Sequence, residues 1–410
     1  MKINEVITKC ESKIKARFDE LDEVSLFNQN KVLEALKKNR VALRHFAGST
    51  GYGYDDTGRD TLYKVYADVF GAESALVSYN ITCGSHALKV ALYGILRPGD
   101  TLLSISGDLY DTMTETIFGE NNADIGSLKD FKVNFKKIEL TKAGKFDVPK
   151  ILTEVKKNPK LIFIQRSRGY SLRDALTINE IKNIIGEIRK INKTSFIMVD
   201  NCYCEFVETQ EPCDVGADIM AGSLIKNPGG GIVPTGGYIA GSKICIDLIS
   251  TAFTSPSLKL EVGSYEQGYR LMYQGLFLAP HIVKQSLKGS LLIAAVMQAL
   301  GYGVLPTADK PMGDIVRSIE FKTKEELISF CGGIQHASPV DSFVDPIPWD
   351  MPGYINQVIM AAGTFVQGAS IELSCDAPIR PPYILYIQGG LTYEHVKLAL
   401  NEAISEINKK

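Results

Sequence analysis

Short apolar segments alternate with amphipathic ones through the middle of the chain. Four of them are brief, rich in β-branched or large apolar residues and bounded by turn residues, which predicts buried strands. These are SALVSY (74–79), TLLSIS (101–106), KLIFIQ (160–165) and SFIMVD (195–200). Between them, SHALKVALYGI (85–95) and TINEIKNIIGEIRKIN (177–192) place apolar residues at the 3.6-residue period of a helix. The alternation predicts βαβ units and a mainly parallel sheet that is covered on both faces.

The two ends of the chain have different patterns. Up to about residue 45, charged and apolar residues recur at helical spacing, which predicts amphipathic helices. Beyond about residue 285, GDIVRSIEFKTKEELISFCGGIQ (313–335) predicts a strand and a helix, and the last 30 residues predict strands and a closing helix. We therefore predict a helical arm at residues 1–60, a large domain at 61–285 and a smaller α+β domain at 286–410.

Composition narrows the class of protein. The chain has 410 residues, of which 45% are apolar, and its formal net charge is −2. This balance is typical of a soluble globular protein and does not suggest a nucleic-acid or membrane-surface partner. The N-terminus has no apolar signal segment, and the apolar run LLIAAVMQAL (291–300) is too short to span a bilayer. We therefore expect a cytoplasmic protein.

Eight cysteines in a chain of this length do not indicate a disulfide framework, which favours a reducing compartment. Cys202, Cys204 and Cys213 lie close together in the sequence, so a metal site is one interpretation. No CxxC pair or nearby histidine completes a four-ligand set, however. The pattern therefore favours small buried apolar side chains, and no bound metal is expected.

Two residues suggest the chemistry. Asp200 ends the predicted strand SFIMVD, and Lys226 follows 26 residues later, with Ser223 three residues before it. An acid at the end of a buried strand needs a partner, although a helix cap or a satisfied core carboxylate is the alternative for Asp200 alone. A lysine about one βαβ unit further on is what pyridoxal phosphate requires, because the cofactor needs an amine and an acid for its ring nitrogen.

The same cofactor needs a phosphate site and an aromatic neighbour. Gly84 and Ser85 stand at the start of the helix predicted at 85–95, where N–H groups and the helix dipole favour a phosphate. Tyr110 follows the strand TLLSIS and is the candidate ring for stacking. The alternatives are an ordinary serine-capped turn and a buried structural tyrosine. The order of these features along a βαβ chain favours the cofactor site.

The sequence resembles the cystathionine and methionine lyases, which are pyridoxal-phosphate enzymes of the aspartate-aminotransferase-like fold (fold type I). The resemblance lies in IMVDNCY, GADIMAGSLIK, LYDT, CGSHA and YGYDDTGRDTL. Within that family the chain is most similar to the bacterial methionine gamma-lyase family or aluminium-resistance branch. The matching segments are GYGYDDTGRDTLYKVYADVFGAE, SLIKNPGGGIVPTGGYIAG and IRPPYILYIQGGLTYEHVK. The resemblance implies a large domain with a mainly parallel seven-stranded sheet and a smaller α+β C-terminal domain.

The resemblance also implies roles for individual residues. Lys226 would be the Schiff-base lysine and proton shuttle, Asp200 the partner of the ring nitrogen, and Tyr110 the stacking ring. Phosphate ligands would be Gly84, Ser85 and Ser223, with Tyr52 or Tyr54 of the neighbouring protomer. A homodimer or homotetramer with shared active sites is implied.

The chain departs from the better-known lyases in three places, one of which is Gly53, where their arm carries a phosphate-binding arginine. Where they carry Pro-x-Asn-Pro after a strand, this chain has IQRSRGYSLR. The hydrogen bond to the ring hydroxyl of the cofactor must therefore come from another group, and Arg168 and Tyr170 are the candidates for it and for substrate binding. The strand YILYIQGG lacks the family's substrate-binding arginine. Arg380 is the predicted replacement because a planar bidentate donor suits a carboxylate, and the alternative is a surface arginine in a proline turn.

The resemblance implies a carbon–sulfur lyase acting on a sulfur-containing amino acid by β- or γ-elimination. The products would be a keto acid, ammonia and a thiol. An aminotransferase or an aldolase would use the same lysine and aspartate, so these remain alternatives. A non-enzymatic role in metal tolerance is a third. A nucleotide-binding loop is disfavoured because GGYIAGSK does not match the P-loop spacing.

Overall fold

A computed structural model places the chain around two β-sheets, and the part of the chain that it describes is residues 3–107, 109–119, 123–351 and 356–409. The helices are α1 (Ile3–Lys13), α2 (Lys15–Lys38), α3 (Thr57–Val69), α4 (Gly84–Ile95), α5 (Asp111–Phe118), α6 (Val148–Val155), α7 (Ile178–Ile191), α8 (Lys243–Phe253), α9 (Arg270–Ala299), α10 (Lys324–His336) and α11 (Tyr393–Asn408). Within these described ranges, no helix is both long and apolar enough to cross a bilayer.

The larger sheet has seven strands. They are β1 (Ser74–Ser78), β2 (Thr101–Ser104), β3 (Asn134–Lys137), β4 (Leu161–Gln165), β5 (Phe196–Asp200), β6 (Ile219–Ser223) and β7 (Gly237–Gly241). Their spatial order is β1-β7-β6-β5-β4-β2-β3, and only β7 runs antiparallel to its neighbours. The prediction of a mainly parallel seven-stranded sheet is therefore confirmed.

Local sequence explains where the elements around this sheet begin and end. Every residue of β4, β6 and β7 is buried, as expected for strands covered on both faces. Helix α7 begins after Thr177, whose hydroxyl accepts from the N–H of Glu180 while the Glu180 carboxylate accepts from the N–H of Thr177. This capping box satisfies two N–H groups at the start of the helix.

The smaller sheet is antiparallel and lies later in the chain. Its strands are β8 (Gly303–Leu305), β9 (Arg317–Phe321), β10 (Val358–Ala361), β11 (Ser374–Pro378) and β12 (Tyr383–Gln388), in the order β10-β11-β12-β9-β8. Helices α10 and α11 contribute Phe330 and Leu400 to its core, and α9 contributes Leu292. The α+β character predicted for the C-terminal part is confirmed.

The N-terminal helix belongs to the core of the smaller sheet. Val6 and Ile7 of α1 are buried against the same apolar cluster as α9 and α11. Helix α9 also continues through residue 285, so the predicted limit at 285/286 falls inside a helix. The domain limits therefore remain predictions.

Candidate cofactor and substrate site

The carboxyl ends of three neighbouring parallel strands define the site. Gln165, Asp200 and Ser223 are the last residues of β4, β5 and β6. In the sheet Gln165 is paired with Asp200, and Asp200 with Ala221. Because parallel strands end at one edge, their terminal side chains meet where α/β sheets usually bind ligands. Lys226 follows three residues after β6 and faces the same edge.

Asp200 and Lys226 influence each other's charge. Asp200 is buried, and its carboxylate accepts a hydrogen bond from the N–H of Cys202 at 3.1 Å. Burial raises the pKa of Asp200, although Lys226 opposes the rise. Burial alone would lower the pKa of Lys226 by disfavouring its ammonium form. The nearby Cys202, Tyr203 and Asp200 have the opposite and larger effect, so the pKa of Lys226 lies above its usual value. The Nζ atom of Lys226 lies 3.8 Å from the ring centroid of Tyr203.

The first turn of α4 forms a cradle beside these residues. A Cβ atom on Gly84 would lie 3.0 Å from Sγ of Cys202 and 3.4 Å from Cβ of Ser223. The absence of a side chain therefore lets the helix N-terminus approach the ends of β5 and β6. Helix N-termini bind phosphate groups through their N–H groups and dipole. His86 has a structural role, because its Nδ1 accepts from the N–H of Thr82 at 3.1 Å.

One cavity brings five of the predicted site residues together. Its wall includes Gly84, Ser85, Tyr110, Asp200 and Lys226. Ser223 is buried directly beneath Gly84. An acid, an amine, an aromatic ring and a helix N-terminus therefore face one space, and this donor set fits pyridoxal phosphate.

Sequence reasoning missed several residues of the same wall. Gln165, Ser167, Cys202 and Tyr203 also line the cavity. The side-chain oxygen of Gln165 accepts from the N–H of Tyr110 at 2.7 Å, so it positions the backbone beside the predicted stacking ring. Gln165 is the last residue of the predicted strand KLIFIQ, and this position at a strand end could have indicated that it belongs to the site. Cys202 contributes to the cavity wall, a role that neither interpretation of the cysteine cluster included.

Several predicted residues are not brought to this cavity, Arg168, Tyr52 and Tyr54 among them. Arg168 is buried, and its guanidinium donates to the carbonyl groups of Leu305 at 2.8 Å and Val316 at 3.1 Å. It therefore connects the two sheets instead of facing a ligand. Tyr52 and Tyr54 are exposed and stack on each other, with ring centroids 5.3 Å apart.

A second cavity of about 210 Å³ adjoins the first and shares Tyr110, Ser167, Gly169 and Tyr203 with it. Tyr170 lines it, as do Asp376 and Gln388 from the smaller sheet. Arg380 is exposed and is not part of either wall, since it lies in the turn before β12. Among the described residues, Lys226 is the only lysine or arginine that lines either cavity.

The cysteine cluster does not form a metal site in the part of the chain that is described. No group of three histidine, cysteine, aspartate or glutamate side chains there is arranged to hold a metal ion. Cys202 and Cys204 are buried, and all eight cysteines are free thiols. Burial raises the pKa of Cys213 as well as those of Cys202 and Cys204, which is expected of thiols in apolar surroundings.

Comparisons with known proteins agree with this geometry. The sequence profile of a family described as methionine gamma-lyase matches residues 3–408. The chain is 49% identical over 402 residues to the uncharacterized protein YnbB of Bacillus subtilis, which is 98% of this chain and 96% of that one.

Two solved structures are similar over nearly their whole length. One, from Listeria monocytogenes, is described as a candidate cystathionine beta-lyase involved in aluminum resistance. It is 50% identical, covers 98% of this chain and 100% of its own, and has a TM-score of 0.96. The other, from Clostridium novyi, is described as a carbon-sulfur lyase involved in aluminum resistance. It is 49% identical, covers 99% and 96%, and has a TM-score of 0.95.

More distant structures share the fold. The pyridoxal-5'-phosphate dependent protein YhfS of Escherichia coli is 14% identical and has a TM-score of 0.61, covering 94% of this chain and 97% of its own. Cystathionine gamma synthase of Xanthomonas oryzae is 16% identical with a TM-score of 0.57, covering 86% of each chain. The chain belongs to the methionine gamma-lyase family, and its fold is that of the pyridoxal-phosphate enzymes of fold type I.

Proposed function

We propose that this protein is a pyridoxal-phosphate-dependent carbon–sulfur lyase. Its substrate is a sulfur-containing amino acid, which undergoes β- or γ-elimination. The carbon–sulfur bond breaks, one water molecule is consumed, and the products are a keto acid, ammonia and a thiol. The observation that carries the proposal is that Lys226 and Asp200 line one cavity beside the N-terminus of α4. The similar Clostridium novyi protein, described as a carbon-sulfur lyase, supports the reaction class.

The residues of the first cavity divide the binding of the cofactor among them. Gly84, Ser85 and Ser223 would hold the phosphate at the start of α4, and the ring of Tyr110 would stack on the cofactor. Lys226 would attach it covalently. When bound, pyridoxal phosphate supplies an electron sink for the α-carbon of the substrate.

Asp200 and Lys226 then handle the protons. Asp200 would hold a proton on the ring nitrogen of the cofactor, because its carboxylate ends a strand at the bottom of the cavity. The free amine of Lys226 would remove the proton from the α-carbon of the substrate. The resulting ammonium, favoured by its neighbours, would then protonate the departing sulfur. One residue would thereby serve as general base and general acid.

We also propose that the active form is a homodimer, or a tetramer of such dimers, in the cytoplasm. Tyr52 and Tyr54 are 65% and 57% exposed, and neither lines the first or the second cavity. A neighbouring protomer's phosphate site would cover this aromatic pair. The free thiols of all eight cysteines fit a reducing compartment.

The first prediction concerns Lys226→Ala. The variant should be colourless and at least about 10³-fold less active, because it loses both the covalent attachment and the proton transfer. The measurements are the visible absorbance of the purified protein and the release of keto acid and thiol from a panel of sulfur amino acids. Lys243→Ala, at an exposed position in the first turn of α8, is the matched control and should behave like the wild type.

Two results would contradict the proposal. A Lys226→Ala variant that kept its visible band and a borohydride-reducible adduct would remove the lysine assignment. The wild-type protein would be an aminotransferase if it bound the cofactor and exchanged amino groups without releasing a thiol. It would be an aldolase if it cleaved carbon–carbon bonds without releasing a thiol.

A further inference from the structure

Asp376 is an acidic residue in the wall of the second cavity. It lies in the middle of β11, is 8% exposed, and faces the same space as Tyr170 and Gln388. Its Oδ1 atom accepts from the side-chain amide of Gln388 at 3.3 Å, and the Tyr170 hydroxyl donates to it as well. No lysine or arginine among the described residues forms an ion pair with it. The carboxyl group is therefore hydrogen-bonded but has no cation.

The burial of a carboxylate without a cation is costly. Burial raises the pKa of Asp376, while the hydrogen bonds from Tyr170 and Gln388 oppose the rise. Tyr170 and Gln388 both donate hydrogen bonds to Asp376, so its carboxyl oxygens act as acceptors. An ammonium group that entered the cavity would donate a buried, charge-assisted hydrogen bond to the ionised carboxylate of Asp376. Such an arrangement favours a ligand with a positively charged donor.

The second cavity is placed to receive the distal part of a substrate. It adjoins the first cavity and shares part of its wall, namely Tyr110, Ser167, Gly169 and Tyr203. A substrate whose α-carbon lies beside Lys226 would extend its side chain across these shared residues. With a volume of about 210 Å³, the space accommodates a chain of several heavy atoms beyond the sulfur. A methyl group alone would leave most of it unfilled.

We propose that Asp376 binds an ammonium group on the leaving-group side of the substrate. The enzyme would then prefer amino acids that carry an amine beyond the sulfur to those that end in a methyl or alkyl group. This inference rests on the proposed lyase function and adds the residue that selects the substrate class. Asp376 acts as a specificity residue, because it contacts the leaving group and not the reacting bond.

The test uses two substrates of equal length with the holoenzyme. S-(2-aminoethyl)-L-cysteine and S-propyl-L-cysteine differ only in an ammonium group in place of a methyl group. The expected kcat/KM ratio for the wild type is at least tenfold in favour of the amine, which corresponds to about 1.4 kcal/mol. Asp376→Asn should reduce the ratio to near one. Asp309→Asn, an exposed acidic residue outside both cavity walls, is the control and should keep the wild-type ratio.

Equal kcat/KM values for the two substrates in the wild type would overturn the inference, and this comparison requires no variant. A preference that survived in Asp376→Asn would also overturn it, since the residue would then act through hydrogen bonds that asparagine retains. If no member of the panel of sulfur amino acids, these two compounds included, releases a thiol, the lyase proposal fails instead. Dissociation constants from the change in visible absorbance would then test Asp376 separately, and equal constants for the two compounds would reject it.

Discussion

Glu205 is a second carboxyl group buried near Lys226. It is fully buried, and its Oε1 atom accepts from the Tyr238 hydroxyl at 2.8 Å. Its Oε2 atom has no hydrogen-bond partner among the described residues. Burial raises the pKa of Glu205 to about 8 from an ordinary value of 4.5. At the residue scale, Lys226 therefore has a second acid near it besides Asp200, and the charge of Glu205 changes near neutral pH.

Glu205→Gln should alter how stability depends on pH. The folded state binds the Glu205 proton more tightly than the unfolded state, so its contribution is complete below pH 4.5 and is lost as pH rises through about 8. Glutamine keeps the shape and an acceptor for Tyr238 but does not titrate. The melting temperature of the variant minus that of the wild type should therefore increase by several kelvin as the pH rises from about 5 to about 8. A difference that stayed constant over that range would contradict the assignment.

At the scale of elements, α4 is the helix whose first turn forms the proposed phosphate site beside the sheet. Its first turn contacts Cys202 and Ser223, which follow and end two different strands. The other end of the helix is held close to α8, where Gly94 lies against the backbone of Ile249. Two contacts that depend on glycine therefore set how near the helix N-terminus comes to the edge of the sheet.

Gly84→Ala should weaken the binding of pyridoxal phosphate at least about tenfold, because the added methyl group would crowd Cys202 and displace the first turn. Titration of the cofactor-free protein, followed by absorbance, measures the affinity. Gly186→Ala is the matched control, since its methyl group meets no atom within 4 Å on the exposed side of α7. It should raise stability by up to about 1 kcal/mol and leave the affinity unchanged. If the wild type and both variants bound pyridoxal phosphate with equal affinity, the phosphate group would not bind at the first turn of α4.

At the scale of the whole molecule, the second cavity exists because the two sheets pack together. Arg168 follows β4 in the larger sheet and binds carbonyl groups in the region of the smaller one. Tyr386 of β12 donates to the carbonyl group of Tyr170 at 2.6 Å. These contacts fix Asp376 opposite the cofactor site. In the assembly that we propose, the exposed pair of Tyr52 and Tyr54 would complete the site of a neighbouring protomer.

Subunit mixing tests the shared site. Chains with Lys226→Ala and chains with both Tyr52→Ala and Tyr54→Ala should each have little activity as homodimers. If the tyrosines serve the partner's site, one site of the heterodimer lacks both the lysine and the two tyrosines. The other site then has the intact lysine of one chain and the intact tyrosines of the other. Heterodimers purified with two different affinity tags should therefore reach about half of the wild-type activity. Activity no higher than the mean of the two homodimers would show that the tyrosines serve their own chain.

The sequence by itself determined four of the seven strands of the larger sheet and five residues of the first cavity. Apolar periodicity located β1, β2, β4 and β5, because burial on both faces requires short continuous apolar segments. Parallel strands end at one edge, so residues directly after strands could be assigned to one site without any knowledge of packing. The assignments of Asp200, Lys226 and Gly84 depended on this rule, and the structure brings all three to one place.

Only the tertiary structure decided which polar residues face the substrate. Arg168 was a reasonable candidate by position, but its side chain meets carbonyl groups more than 130 residues away in the chain. Asp376 sits in a strand of the smaller sheet, where no local pattern distinguishes a cavity-lining carboxylate from one that faces solvent. Contacts of this kind depend on how two sheets pack, and periodicity along the chain carries no information about them.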